Sequence, residues 1–160
     1  MELAKAGDMK VTTLRLPLCY GPGVGGNFLR LAQLIRSGTP LPFRSIKNRR
    51  SMLYSGNFAS AVLAALDSGN RRNGAYLLSD GIDLSTPDLI RMLAHALNCK
   101  PRLFPFPAWA LRVAGRLTGM LPEIERLTGS LTVDSTRFKS EFCWSPPYTP
   151  ESGILSTAAF

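Results

Sequence analysis

Apolar residues change their period several times along this chain, and each change marks an element. Residues 11–16, VTTLRL, are rich in β-branched positions and stop at Pro17, so a strand is predicted there. Beyond a glycine-rich loop, Phe28, Leu31, Leu34 and Ile35 recur at three- and four-residue spacing. They predict one face of a helix, with Asn27 as its N-cap and a stop at Ser37-Gly38. LPF at 41–43 and RSMLYSG read as short extended pieces. Asn57 is expected to cap the next helix, FASAVLAALDS, which ends at Gly69-Asn70. GAYLLSD at 74–80 predicts a strand. DLSTPDLIRMLAHAL predicts a helix capped by Ser85 or Thr86, with Pro87 in its first turn and Asp88 at its positive end. After the extended KPRLFPFP, PAWALRVAGRLTGM predicts an amphipathic helix opened by Pro107. SLTVDST reads as a short strand running into a helix start at Asp134-Ser135, and a last short helix follows FKSEFCWSPPYTPESG.

Strands and helices alternate, which argues an α/β fold. The strands are few and short, and MELAKAG reads as the tail of a helix, as though the first element lacked its predecessors. There is no internal repeat and no low-complexity tract.

Composition adds bounds. With 45% hydrophobic content, the 160 residues suffice for one globular domain with its own core. No apolar run approaches the roughly 18–20 residues of a membrane span, so no membrane partner is expected. The start, MELAKAGDMK, lacks the layout of a secretory signal. Cys19, Cys99 and Cys143 are odd in number and far apart, which suits a reduced, cytoplasmic protein. A single histidine, His95, on a helix face makes a metal site unexpected.

Charge changes the picture more. The net charge is +8, and between Met9 and Leu66 stand eight basic residues, Lys10, Arg15, Arg30, Arg36, Arg44, Lys47, Arg49 and Arg50, without one acid. A stretch of one sign favours a polyanionic ligand, either the phosphates of a small molecule or nucleic acid.

The loop YGPGVGGNF spells G-x-G-x-x-G between a predicted strand and a predicted helix, the context of a dinucleotide-binding turn. That turn also wants an acid about 20 residues later for the ribose hydroxyl. FRSIKNRR stands there instead, the next acid is Asp67, and Pro22 removes an amide the loop would need. Catalytic apparatus is missing too. No G-x-S-x-G elbow exists, and Tyr20, Tyr54, Tyr76 and Tyr148 all lack a lysine four residues on. Features suited to phosphate are present. Asn27 opens a helix, Arg50 offers a planar guanidinium, and Phe43 is placed to stack on a base.

The order LRLPLCYGPGVGGNFLRLAQLIRSGTPLPF, RRSMLYSGNFASAVLAAL, GAYLLSDGIDLSTPDLIRMLAHAL and VDSTRFKSEFCWSPP resembles the C-terminal half of the extended short-chain dehydrogenase/reductases. Within them it resembles the NAD-dependent sugar-nucleotide epimerases and dehydratases of the UDP-glucose 4-epimerase type, over residues 1–152. The resemblance implies the last sheet strands of a Rossmann-like fold with a small substrate-binding lobe, the NAD-binding core being absent. Residues 1–26 would be a remnant of that core and 27–160 the lobe. It implies that Asn27 and Phe28 meet the nucleotide diphosphate, that Phe43 lies by the base, and that Arg50 contacts the pyrophosphate. Arg126 is the nearest candidate for a second phosphate arginine. Leu16, Pro17 and Leu18 would pass the nicotinamide of NAD, although the Phe-Asn frequent there in the family is Pro17-Leu18 here. The family's glycine loop and Tyr-x-x-x-Lys pair would fall upstream of Met1, so the chain reads as a truncated enzyme, inactive alone. A UDP-sugar ligand and a family homodimer are implied. The alternative, from the charge alone, is a small basic nucleic-acid-binding module, against which stands the lack of a recognisable binding motif.

Overall fold

The computed structural model describes residues 10–67 and 72–159, so the helix tail expected at MELAKAG and the turn at Gly69-Asn70 lie outside it. In chain order the elements are β1 (Thr12–Arg15), β2 (Leu18–Tyr20), α1 (Gly26–Arg36), β3 (Met52–Tyr54), α2 (Ser55–Asp67), β4 (Gly74–Leu77), α3 (Thr86–Ala96), α4 (Ala108–Thr118), α5 (Leu121–Thr128), α6 (Thr136–Glu141) and α7 (Pro150–Ala158). All named strand pairs are parallel: β1 with β4, Thr12 opposite Gly74, and β2 with β3, Leu18 opposite Met52. β1 and β2 form one extended run interrupted at Pro17, which has no N–H to give a ladder. There the run changes partner from β4 to β3.

Two apolar clusters hold these elements. The larger joins Tyr20, Phe28, Leu31, Ile35 and Phe43 to Ile90 and Leu93 of α3, Leu111 of α4 and Ile154 of α7. The smaller is aromatic: Tyr76, Phe138, Phe142 and Trp144 close around Leu53 and Leu78. The Phe138 and Phe142 rings stack at 4.5 Å, with Tyr76 edge-on to Phe142 at 5.1 Å, geometries that add to area burial. The Trp144 indole N–H donates to Ser60 Oγ at 3.0 Å.

Local choices differ from the sequence reading at several points. The N-cap of α1 is Gly25, without a side-chain cap, and Asn27 sits inside the first turn. Gly26 at φ +62° starts the helix in the left-handed region that glycine tolerates, so the chain turns inward one residue before Asn27. α2 begins at Ser55, directly off β3, and Asn57 is a fully buried helical residue rather than a cap. LPF and SLTVDST do not form strands; each is reduced to a single bridge, Leu41 to Leu103 and Arg50 to Leu131. α5 was not anticipated, although Pro122 in its first turn and the Ile124–Leu127 spacing carry the signal. Ser85, by contrast, is the cap of α3, its Oγ accepting from the Asp88 N–H. No helix among the described residues is long and apolar enough to cross a membrane.

Candidate functional site

The glycine loop is a turn with packing demands of its own. The Val24 N–H donates to the Gly21 carbonyl at 3.0 Å, closing a four-residue turn with Pro22 and Gly23 at its centre. Proline followed by glycine at φ +78° is the pattern of a type II turn. A Cβ on Gly21 would collide with the Ser55 side chain, so this glycine lets β2 lie against the start of α2. Turn geometry and packing thus account for Gly21 and Gly23.

Beneath the loop lies a buried carboxylate that sequence reasoning missed. Asp80, 5% exposed, receives the Tyr20 hydroxyl at 2.8 Å and the Asn57 amide at 2.7 Å. The Tyr54 N–H reaches both carboxylate oxygens, at 3.0 and 3.1 Å. Asn57 further donates to the Tyr148 carbonyl and accepts from the Tyr148 N–H, each at 2.9 Å. One charge therefore ties together the end of β2, the β3–α2 junction and the segment entering α7, and each donor satisfies it as a buried anion requires. Burial, with the Asp80 charge and hydrogen bond behind it, pushes the Tyr20 phenol well above its ordinary range. Burial and then Asp80 also raise the Cys19 thiol, which makes it a poor nucleophile.

With the loop fixed, α1 presents Asn27, Arg30, Leu31 and Leu34 to a cavity of about 270 Å³. Leu41, Pro42 and Phe43 form its second wall, and Leu111, Met120, Glu123, Ile124 and Leu127 complete it from α4 and α5. The body is apolar and Asn27, Arg30 and Glu123 bring polar groups, the composition of a small-molecule site. α5 seats closely because Gly115 of α4 has no side chain: a Cβ there would lie 2.7 Å from Ile124 Cδ1 and 3.2 Å from Leu121 Cα. Phe28 is not part of this cavity. Its ring stacks on Tyr20 at 5.8 Å and faces a separate groove of about 280 Å³ with Val24, Leu93 and Leu97.

On the adjoining side of α5, Arg50 and Arg126 share an open depression of about 350 Å³ with Pro122, Glu125, Gly129, Ser130 and Leu131. Backbone pairing places Arg50 there: its N–H donates to Leu84 O at 2.9 Å and its carbonyl accepts from Leu84 N at 3.0 Å. Its Nη1 donates to the carbonyls of Arg126 and Gly129 at the end of α5, where a cation meets the negative helix terminus. Burial lowers the Arg50 pKa, but a guanidinium starts high enough to stay charged at neutral pH. Asn48, two residues back, anchors the same turn. Its buried amide donates to Leu127 O at 3.2 Å, Gly129 O at 3.0 Å and Thr86 Oγ1 at 3.0 Å, while its Oδ1 accepts from Thr86 N at 2.8 Å. Asn48 carries no motif; only its contacts identify it. Leu16, Pro17 and Leu18 occupy the β1–β2 junction, with both leucines about two-fifths exposed. No group of three or more His, Cys, Asp or Glu among the described residues is placed to hold a metal.

A UDP-glucose 4-epimerase of Vibrio cholerae is 39% identical over 159 residues, covering 99% of this chain and 48% of that protein. This match supports a C-terminal portion of the NAD-dependent epimerase/dehydratase family. Solved family structures share its fold. A Thermotoga maritima UDP-glucose 4-epimerase with UDP-glucose aligns over 99% of this chain and 48% of that one, with a TM-score of 0.68 and 19% identity. A Thermus thermophilus UDP-glucose 4-epimerase in complex with NAD gives the same coverage and TM-score at 21% identity. The α/β arrangement corresponds to the C-terminal half of this epimerase fold. The chain spans about half the length of the family members it matches. No family model matches it.

Proposed function

We propose that this chain is the substrate-binding portion of a UDP-glucose 4-epimerase-like enzyme and binds a UDP-sugar or related nucleotide sugar. The observation that carries the reading is that one helix, α5, walls both the Phe43 cavity and the Arg50–Arg126 depression. A nucleobase entering beside Phe43 and Asn27 would have its diphosphate carried around α5 to two guanidinium groups, which suit bidentate phosphate contact. Phe28 acts one step back, holding α1 through its stack on Tyr20. Glu125 and the carbonyls at the end of α5 oppose an anion, so binding depends on both arginines together.

The chemistry that NAD would supply to such an enzyme is reversible hydride acceptance from the sugar. The residues here fit one edge of that group: Leu16, Pro17 and Leu18 offer a partly exposed apolar strip suited to a ring face. In the glycine loop, Gly21 and Gly23 are committed to the turn and to the contact with Ser55. With no tyrosine followed four residues later by lysine, the 160-residue chain holds its substrate without turning it over. The substrate lobe's part in catalysis is remote binding energy, spent on orienting the sugar. Three free thiols agree with a reducing, cytoplasmic setting.

Calorimetry with UDP and UDP-glucose tests this. Saturable binding, lost in Phe43→Ala and weakened about 10-fold or more in Arg50→Ala, is expected from the loss of a charge-assisted contact. Absence of UDP binding, or binding indifferent to both substitutions, overturns the assignment. Oligonucleotide binding that falls steeply with salt would instead favour a nucleic-acid module.

A further inference from the structure

The outer face of α4 carries chemistry that the nucleotide-sugar site does not use. Trp109, Val113 and Leu117 follow one another at i, i+4 and i+8 and so lie in one row along the helix. They are 71%, 48% and 83% exposed. The opposite side is the packed one: Leu111 and Gly115 are buried, and α5 lies against Gly115. Arg112 and Arg116 form a second exposed row directly beside the apolar one. The helix contains no acid, and between Asp88 and Glu123 the chain has Arg91, Lys100, Arg102, Arg112 and Arg116 without a single carboxylate side chain.

We propose that this face docks on the surface of an anionic lipid bilayer, with α4 lying in the plane of the headgroups. A tryptophan, a branched aliphatic row and flanking arginines are the parts an interfacial helix uses. The apolar row enters the headgroup–acyl boundary, the indole sits at the polar interface, and the guanidiniums reach lipid phosphates while their stems stay in the apolar layer. Charge selects this occupant. A second copy meeting the same face by two-fold symmetry would set arginine against arginine. A nucleic acid would leave the apolar row without a partner. The absence of a spanning segment argued against a membrane partner in the sequence, but an interfacial helix needs only one apolar face.

Tryptophan fluorescence makes the test specific, because the chain has two tryptophans and Trp144 is only 6% exposed. The full chain is mixed with phosphatidylcholine vesicles, with or without phosphatidylglycerol, and followed by flotation and emission. The expected result is flotation with phosphatidylglycerol vesicles only, weakened by salt. A blue shift of emission, quenched by brominated lipid, should accompany it and disappear in Trp109→Phe. Leu117→Ser with Trp109→Ala should lose flotation while keeping the thermal midpoint, since both side chains lie on the surface, and Arg112→Gln with Arg116→Gln should reduce it about 10-fold or more. No flotation overturns the proposal. So does flotation unchanged in Leu117→Ser/Trp109→Ala, which would assign it to the basic surface in general. Concentration-dependent self-association abolished by the same double substitution also overturns it, in favour of a second copy.

Discussion

Replacing Asp80 by asparagine keeps the shape of the buried hub and removes its charge. Three donors converge on this carboxylate: the Tyr20 hydroxyl at 2.8 Å, the Asn57 amide at 2.7 Å and the Tyr54 N–H at 3.0 Å. An asparagine oxygen in the Oδ1 position can still accept from Tyr54 and Asn57. Its NH₂ would then face Tyr20, whose hydroxyl can rotate to accept. The geometry survives, and the loss is charge assistance. A hydrogen bond to a charged group contributes about 1 kcal/mol more than a neutral one, so three of them lose about 2–3 kcal/mol. In a chain of this length that lowers the thermal midpoint by about 5–10 °C. Differential scanning calorimetry measures it, with Tyr20→Phe and the double variant completing a cycle. Coupling is expected: the Tyr20→Phe penalty should shrink in the Asp80→Asn background, because the Tyr20 bond lost there is already a neutral one. A shift below about 1 °C, or strict additivity, would refute the claim that one charge holds the loop, β3 and the α7 entry together.

The same hub sets behaviour in alkali. The folded-state pKa of Tyr20 is raised above the ordinary phenol value of 10.0, so its contribution is fully present below pH 10 and is lost as pH rises toward the folded value. Stability should therefore fall above pH 10 in the native chain, with a shallower slope in Tyr20→Phe; equal slopes in urea melts would contradict this. Gly115→Val should destabilise by about 1–3 kcal/mol, since its side chain meets Leu121 backbone as well as Ile124, and chemical denaturation reads the change. Asn48→Ala leaves the Thr86 N–H and the Leu127 and Gly129 carbonyls without their amide partner, costing about 1–3 kcal/mol. It should weaken UDP affinity as well, because the turn carrying Arg126 loses its anchor; unchanged affinity by calorimetry would separate Asn48 from the site.

Periodicity made the helices around Phe28, Leu89 and Leu111 legible, because an amphipathic helix writes its buried face at fixed spacing. Ser85 was readable as a cap for a similar reason: its partner, the Asp88 N–H, is three residues away. Arg50 and Phe43 stood out because charge and aromaticity near a glycine loop are local features, and the structure sets them on the walls around α5. The order of the motifs was enough to suggest the family.

Other features depend on residues far apart in the chain. Asn57 looks like a cap until Asp80, 23 residues on, and Tyr148, 91 residues on, claim its amide. SLTVDST has strand composition, yet its backbone finds bridging partners at the 49–51 segment only around Leu131, so no ladder forms. G-x-G-x-x-G is the same string in a cofactor loop and in a type II turn. Here the crowding of Gly21 against Ser55, two elements away, decides between them. Local spacing encodes which face of an element is apolar, whereas satisfaction of a buried amide or carboxylate is decided by whichever distant donor the packed core brings within about 3 Å.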